Sequence, residues 1–154
     1  MSYQKLNVAL MESFGALEQL CNQLYKDHHG VSRYIEKMEE LEDKGSRYVD
    51  DWYTCYRHLK QIRYKRNKLS HGEVPFDSPF VEKEDVLFAR DFRESILNAT
   101  DPLARLRKAT EAKKKNSTAS KKQPQKGPNP IGLILYILAA IAFGIALLYF
   151  FYFK

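Results

Sequence analysis

Residues 49–72 read VDDWYTCYRHLKQIRYKRNKLSHG, and this stretch decides the fold because its apolar side chains recur every three or four positions. Such spacing is typical of one face of an α-helix. The residues on this face are Val49, Trp52, Tyr56, Leu59, Ile62, Arg66 and Leu69. Gly72 follows, and glycine is the residue that most often adopts the left-handed conformation at a helix end. The sequence therefore predicts a long helix over roughly 47–71 with one buried face.

Arg66 is the unexpected residue on this face, because an arginine is almost never fully buried without a partner. We therefore expect Arg66 to meet a carboxylate, to line a polar cleft or to face a second chain. His71 comes five residues later, which is about one and a third helical turns. The imidazole ring is then close enough to share a cleft with the guanidinium group.

The order Arg66-Asn67-x-x-x-His71 at a helix end resembles the RNxxxH motif of the HEPN superfamily, the higher eukaryotes and prokaryotes nucleotide-binding domains. Many members are metal-independent ribonucleases that dimerise so that two motifs meet in one cleft, and others only bind. The resemblance implies a homodimer in which Arg66 and His71 are catalytic and Asn67 positions them. It further implies an RNA target, a role in a toxin or defence system, and regulation by another protein.

A ribonuclease of this kind lets the RNA 2′-hydroxyl attack the adjacent phosphorus and leaves a 2′,3′-cyclic phosphate. The reaction needs a base, an acid and a cation for the developing charge. Histidine exchanges protons near neutral pH, and the planar fork of arginine suits two phosphate oxygens. No carboxylate cluster with metal-ligand spacing accompanies the motif, so we expect neither a metal nor another cofactor.

The N-terminal part of the chain also carries helical patterns. Apolar residues recur at helical spacing before Gly30, and Ser32 can cap a second, charged helix that ends near Gly45. The apolar positions of the first helix are Leu6, Leu10, Phe14, Leu17, Cys21 and Leu24. No stretch of the first 110 residues sustains an alternation of period two, so we expect no sheet.

Beyond the motif, prolines and a capping residue mark the remaining boundaries. Pro75 and Pro79 enforce a loop, which the resemblance makes a rim of the active cleft. A fourth helix is predicted over 82–99. Asp101 can then cap a short last helix, with Pro102 at its first position. The predicted fold is all-α, a HEPN-like bundle of four to five helices over residues 1–110.

The motif helix is basic, with no acidic residue from position 57 to position 71. Tyrosine rings among these cations can stack on bases while the cations hold phosphates. The predicted RNA-binding residues are Arg57, Lys60, Arg63, Lys65, Lys68 and Tyr64. The alternative is that this run is the solvated face of an exposed helix.

The C-terminal part differs sharply in composition. Residues 113–129 contain no large apolar side chain, which predicts a basic, disordered tether over 111–130. Residues 131–153 are 23 residues without a charge. As a helix they would extend about 35 Å, enough to cross a hydrocarbon core of about 30 Å. The sequence therefore predicts one C-terminal transmembrane helix.

The charges around this span predict its orientation. Residues 1–104 hold 15 Lys and Arg against 18 Asp and Glu, whereas 105–154 hold 10 against one. Six lysines precede the span within residues 113–126, whereas Lys154 alone follows it. The predicted membrane-surface lysines are Lys113, Lys114, Lys115, Lys121, Lys122 and Lys126. The positive-inside rule then places the N-terminal domain in the cytoplasm, anchored by its C-terminus at anionic lipids.

The other histidines and the cysteines receive no chemical role. His28 and His29 precede Gly30, where they are expected to cap a helix C-terminus, and His58 is expected on another face of the motif helix. Two cysteines without metal-ligand spacing predict buried, reduced thiols. The second functional hypothesis is a non-catalytic, membrane-tethered helical adaptor or an RNA- or nucleotide-binding sensor.

Overall fold

A computed structural model describes residues 2–120, with side chains described through residue 115. Within these residues the chain forms six α-helices and no strand, which confirms the predicted all-α fold. The helices are α1 (Tyr3–Tyr25), α2 (Gly30–Glu40), α3 (Glu42–Tyr48), α4 (Trp52–Ser70), α5 (Lys83–Leu97) and α6 (Pro102–Ser120). By compactness the chain divides into one unit over residues 1–113 and a second over 114–154.

The first helix is the centre of the compact unit. Ser2 caps α1 by accepting a hydrogen bond from the Lys5 amide at 3.4 Å, and Lys26 ends it in the left-handed conformation. The predicted apolar stripe is buried from Leu10 to Cys21, whereas Leu24 is exposed. Through this stripe α1 packs against α2, α4 and α5. One hydrophobic core joins these four helices, and α6 adds Leu106 to it.

The second predicted helix is in fact two helices, and the motif helix begins later than the sequence indicates. The chain turns at Leu41 between α2 and α3, and Val49 is extended before α4 begins at Trp52. Gly45 does not end a helix. It lies within α3 against the Trp52 ring, where a Cβ atom would come within 2.4 Å of three ring carbons. The glycine therefore makes room for the indole.

The loop that follows α4 lies against α1. The Asn7 side chain is fully buried, and its Nδ2 donates to the carbonyl oxygens of Phe76 and Ser78, both at 2.9 Å. Paired backbone groups matter here because a buried unpaired carbonyl costs free energy. This loop contributes no side chain to the cleft described below, so the prediction that it forms the rim is not met there.

The last two helices begin with side-chain caps. Glu82 and Asp85 form a reciprocal capping box at the start of α5. Asp101 caps α6 as predicted, because its Oδ1 accepts from the amides of Leu103 and Ala104, both at 3.2 Å. The α6 backbone runs on to Ser120. The segment predicted as a tether from residue 111 is thus helical as far as the structure describes it.

The predicted membrane span over 131–153 lies outside the described residues, as does the rest of the predicted tether. Among the helices that are described, none is both long and apolar enough to cross a bilayer.

Candidate active site

The motif residues line one cleft between α1, α2 and α4, with a volume of about 320 Å³. Arg66, Asn67 and His71 come from α4 and its C-cap, as the motif spacing predicts. Five other residues complete the lining: Phe14, Glu18, His29, Ser32 and Arg63. A cleft of this size is at the lower end of the roughly 300–1,000 Å³ range of small-ligand pockets. It can therefore hold a group about as large as one phosphodiester with an adjoining sugar.

Arg66 is half-buried, not buried as its place on the apolar stripe indicated. Its guanidinium lies over the Phe14 ring, with Cζ 5.4 Å from the ring centroid, and its Nη1 donates to Asn67 Oδ1 at 3.0 Å. It forms no ion pair with any described carboxylate. Arg66 thus lines a polar cleft, which is one of the three environments that its position predicts. The remaining N–H groups are available to an anion.

Arg63 lies on the same side of the cleft. Its Nη1 donates to Ser32 Oγ at 3.0 Å, and like Arg66 it makes no salt bridge with a described acidic residue. Arg63 and Ser32 also line a neighbouring surface depression together with Asp27, Arg33 and Glu36. In that depression Arg33 pairs with Asp27 at 2.7 Å and lowers the pKa of the Asp27 carboxyl by hydrogen bonding. Arg63 and Arg66 thus line the cleft of the motif, and neither makes a salt bridge with an acidic residue in the described part of the chain.

His71 is exposed at the C-cap of α4, and its amide donates to the Asn67 carbonyl oxygen at 3.0 Å. Gly72 then adopts φ 67°, the left-handed conformation that the sequence predicts for it. Because the helix ends there, the imidazole stands at the edge of the cleft, where it can reach a bound group and solvent.

His29 is the functional candidate that sequence reasoning missed. It was expected to cap the end of a helix, but α1 ends at Tyr25 and His29 is the N-cap residue of α2. Two side chains of α1 accept hydrogen bonds from backbone amides in the first turn of α2. Asn22 Oδ1 accepts from the Gly30 amide at 2.7 Å, and Glu18 Oε2 accepts from the Val31 amide at 3.1 Å.

Gly30 permits this close approach of α1 and α2. A Cβ atom at Gly30 would lie 2.3 Å from the Asn22 nitrogen and 2.3 Å from the Cys21 carbonyl carbon. The sequence feature that could have indicated the close contact of α1 and α2 beside His29 is the glycine that directly follows it. Ser32, expected to cap α2, instead lies within its first turn and binds Arg63.

Three of the predicted RNA-binding cations already have acidic partners. Lys60 contacts Glu39 at 3.4 Å, and Lys68 pairs with Glu73. Lys65 Nζ lies 2.6 Å from Asp85 on α5, and its side chain is only 13% exposed. Lys65 therefore points away from the cleft into the interface of α4 with α5.

The other predicted RNA-binding residues remain on the surface. Arg57 is exposed, and Tyr64 is 56% exposed with its ring tilted against Phe80 at 6.4 Å. Lys60 also donates to the hydroxyl of Tyr56, which raises the pKa of this lysine, and Tyr56 in turn donates to Glu39. The exposed basic surface of α4 is thus narrower than the sequence indicated.

Outside the cleft, His58 and Lys113 contact side chains of other helices. His58 stacks on Phe88 at 3.9 Å and lies 3.4 Å from Asp85, on the face of α4 that meets α5. Lys113 donates to the Tyr48 hydroxyl at 2.9 Å, while Lys114 and Lys115 are exposed on α6. The predicted membrane-surface residues Lys121, Lys122 and Lys126 lie outside the described residues.

The fold and the site define a small all-helical domain with an arginine- and histidine-lined cleft. The chain belongs to a family of unknown function (DUF6548), whose model matches residues 8–149. Neither a curated protein nor a solved structure matches the chain. The family match includes the motif helix and most of the predicted membrane span.

Proposed function

We propose that this protein is a metal-independent endoribonuclease of the HEPN type, anchored in a membrane by its C-terminal segment. One observation carries the proposal: Arg66, Asn67 and His71 line a single cleft in which Arg63 and Arg66 lack acidic partners among the described residues. Two arginines with spare donors favour a bound phosphate. A nearby imidazole supplies proton transfer.

In this mechanism the RNA 2′-oxygen forms a bond to phosphorus and the bond from phosphorus to the 5′-oxygen breaks. An imidazole takes the proton from the 2′-hydroxyl, and an acid returns a proton to the leaving 5′-oxygen. Arg66 neutralises the charge that builds on the non-bridging oxygens, and Asn67 holds the guanidinium through its carboxamide oxygen. The products are a 2′,3′-cyclic phosphate and a free 5′-hydroxyl.

The test uses the full-length protein purified in detergent with labelled RNA in the presence of EDTA. Cleavage with 2′,3′-cyclic phosphate ends is expected from the wild type. His71→Ala and Arg66→Ala should each lose at least about a hundredfold in rate, whereas the exposed Arg47→Ala should cleave normally. A wild type that cleaves no RNA, or that cleaves as well after His71→Ala, contradicts the proposal.

The membrane anchor and the homodimer are parts of the same proposal. The uncharged 23 residues at 131–153 and the lysines before them support an integral protein with a cytoplasmic N-terminal domain. Resistance to carbonate extraction, with the domain protected from protease added outside intact cells, is expected. Sedimentation in detergent should give a dimer. Release by carbonate would refute the anchor, and a monomer would refute the dimer.

A second function is supported by the ion pairs on α4. Because Lys60, Lys65 and Lys68 contact Glu39, Asp85 and Glu73, the helix offers fewer free cations to RNA than its sequence contains. This favours a membrane-tethered adaptor over a function that requires RNA binding along α4. Absence of cleavage, together with binding of a protein partner that survives Arg66→Ala, would support the adaptor over the enzyme.

A further inference from the structure

His29 and His71 line the same cleft, although they are far apart in the sequence and only His71 belongs to the motif. We propose that these two histidines of one chain form the acid–base pair that acts on a single phosphodiester. The inference rests on the proposed ribonuclease function and deepens it by adding a second histidine from the same chain. It differs from the arrangement that the resemblance implies, in which two motifs share one cleft, because here the acid–base pair is complete within one protomer. In the dimer, each chain would then carry its own complete cleft.

The two rings approach the cleft from different elements. His71 stands at the C-cap of α4, and His29 stands at the N-cap of α2 with its amide donating to Asp27 Oδ1 at 3.0 Å. Arg63 and Arg66 line the cleft with them. A phosphate held by the arginines would therefore lie in a cleft with two imidazoles, and a transfer that needs both a base and an acid requires two such groups.

The proton balance closes with these groups alone. One imidazole takes the proton of the 2′-hydroxyl while the 2′-oxygen bonds to phosphorus. The other, as imidazolium, gives its proton to the 5′-oxygen while the bond from phosphorus to that oxygen breaks. One histidine is left charged and the other neutral, and exchange with water restores both.

The acidic groups that line the two depressions containing His29 are held by contacts within the described residues. Glu18 is engaged by the Val31 amide, and Asp27 and Glu36 both bind Arg33. The charged and titratable residues that line the two depressions containing His29 are Glu18, Asp27, Arg33, Glu36, Arg63, Arg66 and His71. Each of these acidic residues therefore has a partner, while Arg63 and Arg66 donate to Ser32 and Asn67 and make no salt bridge with an acidic residue that the structure describes.

The experiment compares His29→Ala with His28→Ala in full-length protein. His28 is the adjacent exposed histidine and is not among the described residues that line the cleft. Cleavage by His29→Ala should fall by at least about a hundredfold, lose one limb of the pH–rate profile, and recover in part when imidazole is added. His28→Ala should match the wild type. Unchanged cleavage by His29→Ala, or a loss with both limbs intact and no imidazole rescue, overturns the proposal.

Mixed dimers test whether both histidines act within one chain. When His29→Ala and His71→Ala chains are combined, every cleft lacks one histidine and cleavage should stay absent. If one cleft used residues from both chains, the mixed dimer would contain one intact site and recover about half of the wild-type activity. Such recovery overturns the assignment to a single chain but leaves the ribonuclease function in place.

A binding readout separates this inference from the proposed function. In a titration of the wild type with inorganic phosphate, the ring signals of His29 and His71 should shift together with one dissociation constant. Those of His28 and His58 should not shift. A wild type without cleavage refutes the ribonuclease. Independent responses of His29 and His71 refute their pairing on one phosphate whether or not RNA is cleaved.

Discussion

The guanidinium of Arg66 lies over the ring of Phe14, with its Cζ atom 5.4 Å from the ring centroid. An aromatic face stabilises the cation without consuming its N–H donors, which a carboxylate would do. The Arg66 side chain is therefore stabilised by its contact with Phe14 on α1 and keeps N–H donors that can bind an anion in the cleft.

Replacing Arg66 by lysine should separate charge from geometry. Lysine keeps the cation but loses the planar fork, so RNA cleavage should fall substantially, by about tenfold or more, even though the net charge is unchanged. The free energy of unfolding should change by only about 1 kcal/mol, since the contact with Phe14 is a partly exposed cation–π interaction. Cleavage rates and urea unfolding measure the two effects. A protein that melts instead would make Arg66 a packing residue.

Two glycines offer a matched comparison of packing. Gly30→Ala places a methyl group 2.3 Å from backbone atoms of Asn22 and Cys21. It should destabilise the protein by about 1–3 kcal/mol or more and displace His29. The methyl group of Gly15→Ala meets nothing within 4 Å at an exposed position of α1, and this change should stabilise the protein by about 0.5–1 kcal/mol. Urea unfolding should show opposite signs; equal signs would contradict the tight crossing of α1 and α2.

Asp85 should be a major contributor to the stability of the α4–α5 interface. Its carboxylate is 1% exposed, and it contacts Lys65 Nζ at 2.6 Å and the Glu82 amide at 2.9 Å. Asp85→Asn keeps an acceptor for the amide but leaves the Lys65 charge unpaired, which should cost about 3 kcal/mol or more. The exposed Asp91→Asn on the same helix is the control and should have little effect.

The double variant Lys65→Met/Asp85→Asn tests the reason for that loss. Because it removes the buried charge along with its partner, it should recover much of the stability. If the double variant is no more stable than Asp85→Asn, the unpaired lysine is not the cause. The cap at Glu82 would then be the better explanation.

Stability should fall in alkaline solution. Burial raises the pKa of the Cys21 thiol from 9.0 to about 12. The unfolded chain therefore releases this proton near pH 9 while the native protein retains it. The thiol's contribution is complete below pH 9 and is lost as the pH rises toward 12, by about 1.4 kcal/mol per pH unit. The free energy of unfolding, measured with urea at each pH across this range, should fall less steeply with pH for Cys21→Ala than for the wild type.

Thiol labelling gives an independent check. Burial also raises the pKa of Cys55, to about 11. Because the thiolate is the reactive form, neither cysteine should react with an alkylating reagent at neutral pH in the folded protein, and both should react after unfolding. Rapid labelling of native Cys21 would contradict both its burial and its expected alkaline effect.

Helix periodicity and capping residues were sufficient to predict most of the helices. The Asp101–Pro102 start of α6 and the Gly72 end of α4 follow from local chemistry that a short sequence window contains. The continuation of α3 through Gly45 was missed because it depends on tertiary packing. The Trp52 ring occupies the space beside Gly45, and a glycine in a charged helix does not reveal this partner.

The candidate site was predictable only along one helix. Periodicity places Arg66, Asn67 and His71 near each other because they share α4, but Phe14 and His29 reach the cleft through the packing of α1 and α2. The loss of Lys65 from the basic surface has the same cause. Its acidic partner Asp85 is on α5, and no pattern within α4 announces that contact.

Asn7 joins parts of the chain that are made at very different times during translation. Its side chain holds carbonyl groups 69 and 71 residues later, and α1 also packs against α5. A nascent chain therefore contains the whole motif before the ribosome has added the loop after α4 and helix α5, both of which contact α1. In the ribonuclease proposed above, α1 supplies Phe14 to the cleft, and this helix would gain its full set of contacts only after the chain has been made through α5.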